Sequence, residues 1–337
     1  MASAVAKLAR PALAAPVAGR YGTRMHSTPR FLLDCIGGTS LVALRRIVAT
    51  GGARVLLKLE SENPTGSMKD RMARAMIAAA TADGRLPPGG AVVEYTGGST
   101  GVSLAMVCAA AGHPLHVVTS DAFAREKLDH MTLLGARLHV VPSDGGRMTA
   151  QLTRDMVEAA RAIAGETGAY WTDQLRNLDQ VGAYRALADE IWTQTGGRLD
   201  AFVQSVGTAG SLRGTAAALR ARDAAIRIVA VEPAESAVLS GGPSGAHTID
   251  GIGAGFVVPL WQNGLTDRIE AVSTAEALAM TRRLAREEGV FAGTSTGANV
   301  VAALRVAAEL GGDATVVTVA CDTGMKYLKT FGASLPA

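Results

Sequence analysis

No apolar run in this chain is long enough to cross a bilayer. The longest, such as residues 102–111, end at once in Gly112 and His113, far short of the roughly 20 residues a spanning helix requires. No membrane span or membrane partner is therefore expected. Cysteine is scarce: Cys35, Cys108 and Cys321 have no Cys-x-x-Cys spacing. That argues against a disulfide frame or structural zinc and for a reducing compartment, with each cysteine expected to be a small buried hydrophobe. A metal ligand set is also missing. His113 and His116 are separated by Pro114 and no further His, Cys or acid completes them, while His26, His130, His139 and His247 form no Ser/His/Asp order.

The first 30 residues lack acids altogether. They carry Lys7, Arg10, Arg20, Arg24 and Arg30 together with Pro11, Pro16 and Pro29, which makes them poor core material. Residues 1–30 have the composition of a mitochondrial-type transit peptide or of a disordered extension. The formal net charge is +3, so without those five cations the remaining chain is −2. Its arginines are scattered, which leaves no nucleic-acid footprint. A cytoplasmic protein is expected, or a mitochondrial one if the leader is a transit peptide.

At 337 residues, 48% hydrophobic and 19% charged, the chain can build two packed lobes or one large domain. Short β-branched runs alternate with alanine-rich amphipathic stretches. Strands are predicted at 55–59, 91–95, 115–119, 137–141, 201–206, 226–231 and 315–320. Helices are predicted near 69–83, 100–111, 121–135, 148–166, 179–195, 211–222, 274–289 and 298–310. This is the pattern of an α/β fold with parallel sheets covered on both faces, whose ligands bind where strands end and helices begin.

Four such junctions carry chemistry. In Glu62-Asn63-Pro64-Thr65-Gly66-Ser67-Met68-Lys69-Asp70-Arg71 a lysine opens a helix. Unpaired N–H groups and positive partial charge there disfavour a second cation, and a neutral amine attacks aldehydes, so this is a place to make a Schiff base. Thr96-Gly97-Gly98-Ser99-Thr100-Gly101 follows a strand and precedes a helix beginning near Val102. It offers N–H groups and hydroxyls to an anion such as a substrate carboxylate. Val206-Gly207-Thr208-Ala209-Gly210-Ser211 can cradle a phosphate by the same physics, yet it is neither a Walker loop nor Gly-x-Gly-x-x-Gly. In Gly293-Thr294-Ser295-Thr296-Gly297 a hydroxyl can meet a heterocycle nitrogen. The glycines of 251–255 read as a loop near the site.

Taken in order, these segments resemble the cysteine synthase (O-acetylserine sulfhydrylase) family of pyridoxal phosphate enzymes, within the tryptophan synthase β-like fold (fold type II). The likeness runs from Ile36-Gly37-Gly38-Thr39-Ser40-Leu41 to Asp322-Thr323-Gly324-Met325-Lys326-Tyr327-Leu328. It implies two lobes, a smaller mobile one at 65–178 and a larger phosphate-binding one made of 31–64 plus 179–337. It implies that Lys69 holds pyridoxal 5'-phosphate and that Gly207, Thr208, Ala209, Gly210 and Ser211 bind its phosphate, with Ala209 where the family usually has glycine. It places Ser295 at the ring nitrogen, Ser99 at the ring hydroxyl, and Thr96, Gly97, Gly98, Ser99, Thr100 and Gln174 around the substrate carboxylate. A homodimer is implied as well.

One loop departs from the family pattern. Thr-Ser-Gly-Asn-Thr-Gly becomes Thr-Gly-Gly-Ser-Thr-Gly, losing a serine at Gly97 and an asparagine at Ser99. A hydrogen bond lost this way is worth about 0.5–1.5 kcal/mol, so cofactor binding should survive while substrate choice shifts. The activity implied is β-replacement on an activated serine, such as O-acetylserine, by sulfide or a thiol. Lys69 moves the α-proton, and a neutral hydroxyl at the ring nitrogen favours loss of a β-substituent over transamination. The rival is β-elimination, as in a serine or threonine dehydratase or a cysteine desulfhydrase. An idle scaffold that kept the fold is disfavoured by the intact Lys69 and phosphate loop.

Overall fold

Strands that need both faces covered set the architecture. In β7 (Ala201–Ser205) and β10 (Thr315–Ala320) every residue is buried. Alternate side chains serve two cores, with Phe202, Val317 and Val319 in one and Val203, Val316 and Ala320 in the other. Because strand side chains alternate between faces, a strand apolar throughout belongs inside a parallel sheet. β10 pairs in parallel with β7 and with β2 (Arg54–Leu59). β8 (Arg227–Pro233) and β9 (Arg268–Val272) extend the parallel side, and β1 (Leu41–Ala43) adds one antiparallel edge. The order is β1-β2-β10-β7-β8-β9. A second, wholly parallel sheet runs β5 (Arg137–Val141), β4 (Leu115–Ser120), β3 (Val92–Tyr95), β6 (Tyr170–Trp171).

This structure, a computed structural model, describes residues 29–146 and 149–332. The transit-like reading of the leader therefore lies, up to residue 28, outside the described residues. From Leu32 onward the chain forms one unit, in which Phe202 and Val317 of the larger sheet share a core with Val92 and Val117 of the smaller one. The helices are α1 (Lys69–Ala82), α2 (Ser99–Ala111), α3 (Arg125–Leu133), α4 (Ala150–Thr167), α5 (Asp179–Thr195), α6 (Gly210–Arg220), α7 (Thr274–Arg283), α8 (Thr294–Leu310) and the short α9 (Leu328–Gly332). Among the described residues no helix is long and apolar enough to cross a membrane.

The α/β reading holds, and each predicted strand and helix has its counterpart. The differences sit at ends and edges. β1, β6 and β9 were not anticipated, because the first two have three and two residues and β9 carries charges at Arg268 and Glu270. α3 starts at Arg125 rather than 121, since residues 121–123 form a turn closed by Phe123 N–H to Ser120 O at 3.2 Å. Cys108 and Cys321 are buried as expected, but Cys35 is exposed. It lies in a short 3-10 turn, Leu32–Cys35, none of whose residues is buried.

A charged cluster ties α1 to both neighbours. Arg71 donates to Glu60 through Nε at 2.6 Å and Nη2 at 2.8 Å, and to Glu190 of α5 at 2.8 and 2.9 Å. Lys58 at the end of β2 reaches Glu190 at 2.7 Å, and Thr39 donates to Glu60 at 2.7 Å. Lys58 and Glu60 are wholly buried. Burial opposes the charge on Glu190, yet the hydrogen bonds and field of Arg71, with Lys58, bring its carboxyl down to about 2. Removing one partner of such a cluster strands a buried charge. Arg71→Ala is therefore expected to lower the unfolding free energy by about 3–5 kcal/mol, read as a fall in the urea midpoint at unchanged slope.

Candidate active site

Parallel strands bring their C-terminal ends to one edge of a sheet, and there the functional loops meet. β2 leads through residues 60–68 to Lys69, β7 leads to residues 206–211, and β10 leads to Cys321 and Asp322. In the smaller sheet β3 leads to Thr96 and Ser99, and β6 leads to Thr172 and Gln174. One contact joins the two groups and a second ties the smaller sheet's loops to each other. Ser99 Oγ donates to Asp322 Oδ2 at 3.1 Å, and Thr100 Oγ1 donates to Gln174 Oε1 at 2.8 Å.

Lys69 is the first residue of α1 and half-buried. Its segment is clasped to the end of β10, with Met68 N–H donating to Cys321 O at 2.8 Å and Thr323 N–H to Gly66 O at 2.9 Å. On the other side Gly293 N–H donates to Asp322 O at 3.1 Å, which brings the start of α8 to the same place. Burial pushes the Cys321 thiol up, and the charge of Lys69 opposes this. The backbone bonds thus bring the start of α1, the end of β10 and the start of α8 together. Asn299 of α8 holds the arrangement by accepting from Ser205 N–H at 2.7 Å and donating to Val319 O at 2.8 Å.

Helices α1, α2, α6 and α8 begin here, and none of them is closed by a side-chain cap. Elsewhere α4 is capped by Thr149 and α7 by a capping box of Ser273 and Glu276, while α3 and α5 have no side-chain cap either. Uncapped first turns leave N–H groups and a positive end for an anion. Asp70 already occupies α1, accepting from Thr65 N–H at 2.8 Å and Thr65 Oγ1 at 2.5 Å. The first turns of α2, α6 and α8 carry no acid.

The loop 207–211 has the form of a phosphate cradle. A Cβ at Gly207 would lie 2.6 Å from Gly251 O, so the backbone of 251–253 packs directly on it, and Gly253 N–H donates to Val206 O at 3.1 Å. Ala209 has φ +69°, a left-handed conformation that costs a residue with a Cβ roughly 1 kcal/mol or more. This is the physical reason for glycine in the family at that place. Thr208 donates to Gln180 at 2.7 Å, and Ser211 accepts from Gln204 at 2.7 Å, which orients both hydroxyls. Gln204 Oε1 is buried without a hydrogen-bond partner, a polar atom left over at the cradle. An amine, an acid-free helix start and a buried neutral hydroxyl at Ser295 form a donor set that fits an aldehyde carrying a phosphate and a ring nitrogen.

The loop 96–101 is partly helix. α2 begins at Ser99, one residue before the predicted 100–111, so Ser99, Thr100 and Gly101 form its first turn. Likewise α8 begins at Thr294 rather than 298, which makes Ser295 a helical residue. Gly98 N–H donates to Thr96 Oγ1 at 3.2 Å. Gln174 is pinned, donating to Tyr95 O at 3.1 Å and resting its N–H on Glu94 at 2.9 Å. Glu94 is fully buried, and burial raises its carboxyl to about 7 despite hydrogen bonds from Thr172, Gln174 and Tyr95.

The lost serine at 97 has a structural cause. A Cβ on Gly97 would overlap the ring of Phe123, which fills that space. Phe123 went unnoticed in the sequence, since nothing local marks a phenylalanine 26 residues downstream as the complement of a glycine. Asp322 and Lys326 entered the sequence reading only as the end of a resemblance, yet Lys326 Nζ lies 3.4 Å from Ser99 Oγ. Lys127 pairs with Asp250 at 2.7 Å and lies 4.4 Å above the Tyr327 ring. Among the described residues no group of three His, Cys, Asp or Glu could hold a metal.

A fold of two parallel sheets with a lysine and three open helix starts at their convergence defines a class, and the family model agrees. Residues 32–322 match the pyridoxal-phosphate dependent enzyme family; the chain belongs to it, and pyridoxal phosphate is its cofactor. Within that family the chain is 38% identical over 301 residues to a cysteine synthase of Staphylococcus aureus, covering 89% of this chain and 95% of that one. Among solved structures it is similar to a cysteine synthase of Entamoeba histolytica, with a TM-score of 0.85 and 32% identity over 98% of this chain and 95% of that one. It is also similar to an O-acetylserine dependent cystathionine β-synthase of Helicobacter pylori, with a TM-score of 0.83 and 32% identity over 90% and 98%.

Gly97→Ser is expected to destabilise the fold by about 1–3 kcal/mol, the cost of overpacking, and Gly97→Ser/Phe123→Ala to recover part of that loss. Denaturant unfolding of the single and double variants measures the coupling.

Proposed function

We propose that the protein replaces the β-substituent of an activated serine, such as O-acetylserine, with sulfide or a thiol, giving cysteine or a related amino acid. The observation that carries this is the convergence of Lys69 with the acid-free, uncapped starts of α2, α6 and α8. Pyridoxal phosphate, when bound, supplies the electron sink that lets a proton leave the α-carbon.

The chain's residues do the rest. The α6 start with Gly207, Thr208, Ala209, Gly210 and Ser211 would hold the phosphate, and Lys69 the aldehyde carbon. Ser295, 4% exposed, would offer the ring nitrogen a neutral hydroxyl, which favours departure of a β-substituent over transamination. Thr96, Gly97, Gly98, Ser99 and Thr100, with Gln174, receive the substrate carboxylate at the start of α2. Replaced at the aldehyde carbon by the substrate amine, Lys69 Nζ would be free to take the α-proton as the β-substituent leaves as its anion, and would return that proton once the thiolate has added. Within the lobe at 65–178, the part built on the smaller sheet closes over the amino acid and excludes water, which protects the reaction from elimination, while α1 stays tied to Glu60 and Glu190. We further propose a homodimer working in the cytoplasm.

Both named synthases support the reading, and the cystathionine β-synthase carries O-acetylserine in its name. The wild type is expected to form cysteine from O-acetylserine and sulfide, and Lys69→Ala to lose at least about 10³-fold in kcat, as expected when a general base and nucleophile go together. Product analysis by mass spectrometry measures both. Turnover left intact in Lys69→Ala sinks the mechanism, and pyruvate released at the same rate with or without thiol makes the enzyme an eliminating one.

A further inference from the structure

Lys326 is buried at 8% exposure, yet its ammonium has little to hold. Among the described residues its one side-chain hydrogen bond is the 3.4 Å approach to Ser99 Oγ, and no carboxylate lies within 4.0 Å of Nζ. The nearby acids bond to other groups. Asp322 Oδ2 accepts from Ser99 Oγ at 3.1 Å and from Tyr327 OH at 2.5 Å, and Asp70 is taken up by Thr65. A buried cation without a paired anion is costly, and proteins keep such groups where a ligand completes them. Burial lowers the pKa of Lys326, while Asp322 and Asp70 oppose that fall.

Space and position add to this. Lys326 lines a cavity of about 400 Å³ shared with Thr65, Gly66, Val102, Glu126, Lys127 and His130, to which residues 96–101 do not contribute; its tie to that loop is the contact of Nζ with Ser99 Oγ. It also stands beside position 99, where the family's longer asparagine is replaced by a serine. Ser99 keeps a hydroxyl but gives up an N–H donor. Lys326 brings an N–H donor back from another part of the chain, and a charged one.

We propose that Lys326 is a substrate-positioning residue whose ammonium, beside Ser99, binds the carboxylate of the amino-acid substrate. This rests on the reading of residues 96–101 as the carboxylate loop. The amino acid then sits between the start of α2 and a full positive charge, rather than against neutral donors alone, and a charge-assisted hydrogen bond replaces an amide one. The loss of asparagine becomes a trade, which accounts for a loop that departs from its family without the site falling apart.

The test titrates the holoenzyme with L-alanine and with L-alaninamide, which lacks the carboxylate, following cofactor absorbance at equilibrium. Lys326→Met is expected to raise the alanine Kd at least about tenfold and the alaninamide Kd less than about twofold, with Lys326→Arg keeping most of the alanine affinity. The thermal midpoint of the cofactor-free Lys326→Met protein should be equal to or above that of the wild type, since a methionine removes an unpaired buried charge. Equal weakening of both ligands, or of neither, overturns the proposal; Lys326→Gln serves the same comparison if the methionine variant does not fold. O-acetylserine turnover in the wild type is assayed separately. Alanine binding that depends on Lys326 without turnover would defeat the proposed activity and leave Lys326 standing; turnover with an unchanged acid-to-amide ratio would do the reverse.

Discussion

Everything at the site hangs on a short backbone clasp at the end of β10. Residues 321–324 lie between the lysine segment and the start of α8, bonded on one side to Gly66 and Met68 and on the other to Phe291 and Gly293 at 2.8–3.1 Å. These are main-chain bonds, so side-chain replacement leaves their donors and acceptors in place. They pair Ser67 with Asp322 and Ala292 with Thr323, which fixes the segments carrying Lys69 and Ser295 on either side of Asp322. The charged cluster of Lys58, Glu60, Arg71 and Glu190 then locks α1 against β2 and α5, so the helix carrying the lysine cannot slide.

Two further consequences follow from geometry. Because β2, β7, β8 and β10 run in parallel, their C-terminal loops share one edge, and helices started there point their positive ends inward. Leaving those ends uncapped sacrifices local helix stability of about 1 kcal/mol per cap, a cost an anionic ligand offsets on binding. The smaller sheet shares a core with the larger one, and polar contacts between their loops include Ser99 to Asp322 at 3.1 Å, Lys326 to Ser99 at 3.4 Å and Lys127 to Asp250 at 2.7 Å. The first of these is weak enough to be exchanged when a substrate enters.

Much of this was legible in the sequence. Buried parallel strands announce themselves as unbroken β-branched runs, and hydroxyl and glycine clusters mark the strand-to-helix junctions, so the architecture and the four loops could be read directly. Helix starts were placed late at Ser99 and Thr294 because glycine and hydroxyl residues suit both a loop and a first turn, and only the backbone decides between them. Short or charged edge strands such as β6 and β9 carry too little pattern to be seen. What sequence could not supply was pairing across distance. Phe123 over Gly97, Lys326 beside Ser99 and Lys127 with Asp250 are contacts between residues 26, 227 and 123 positions apart. Each changes the meaning of a local motif: a glycine that looks like a loss is made necessary by a ring, and a shortened donor is supplemented by a buried lysine.

The central claim is that the cofactor is carried by the lysine at the start of α1, although other lysines stand close by. Borohydride reduction of the holoenzyme followed by peptide mass mapping tests this directly. The account predicts the pyridoxyl mass on the peptide containing Lys69 and on no other. The same mass on a peptide containing Lys326 or Lys127 would contradict it.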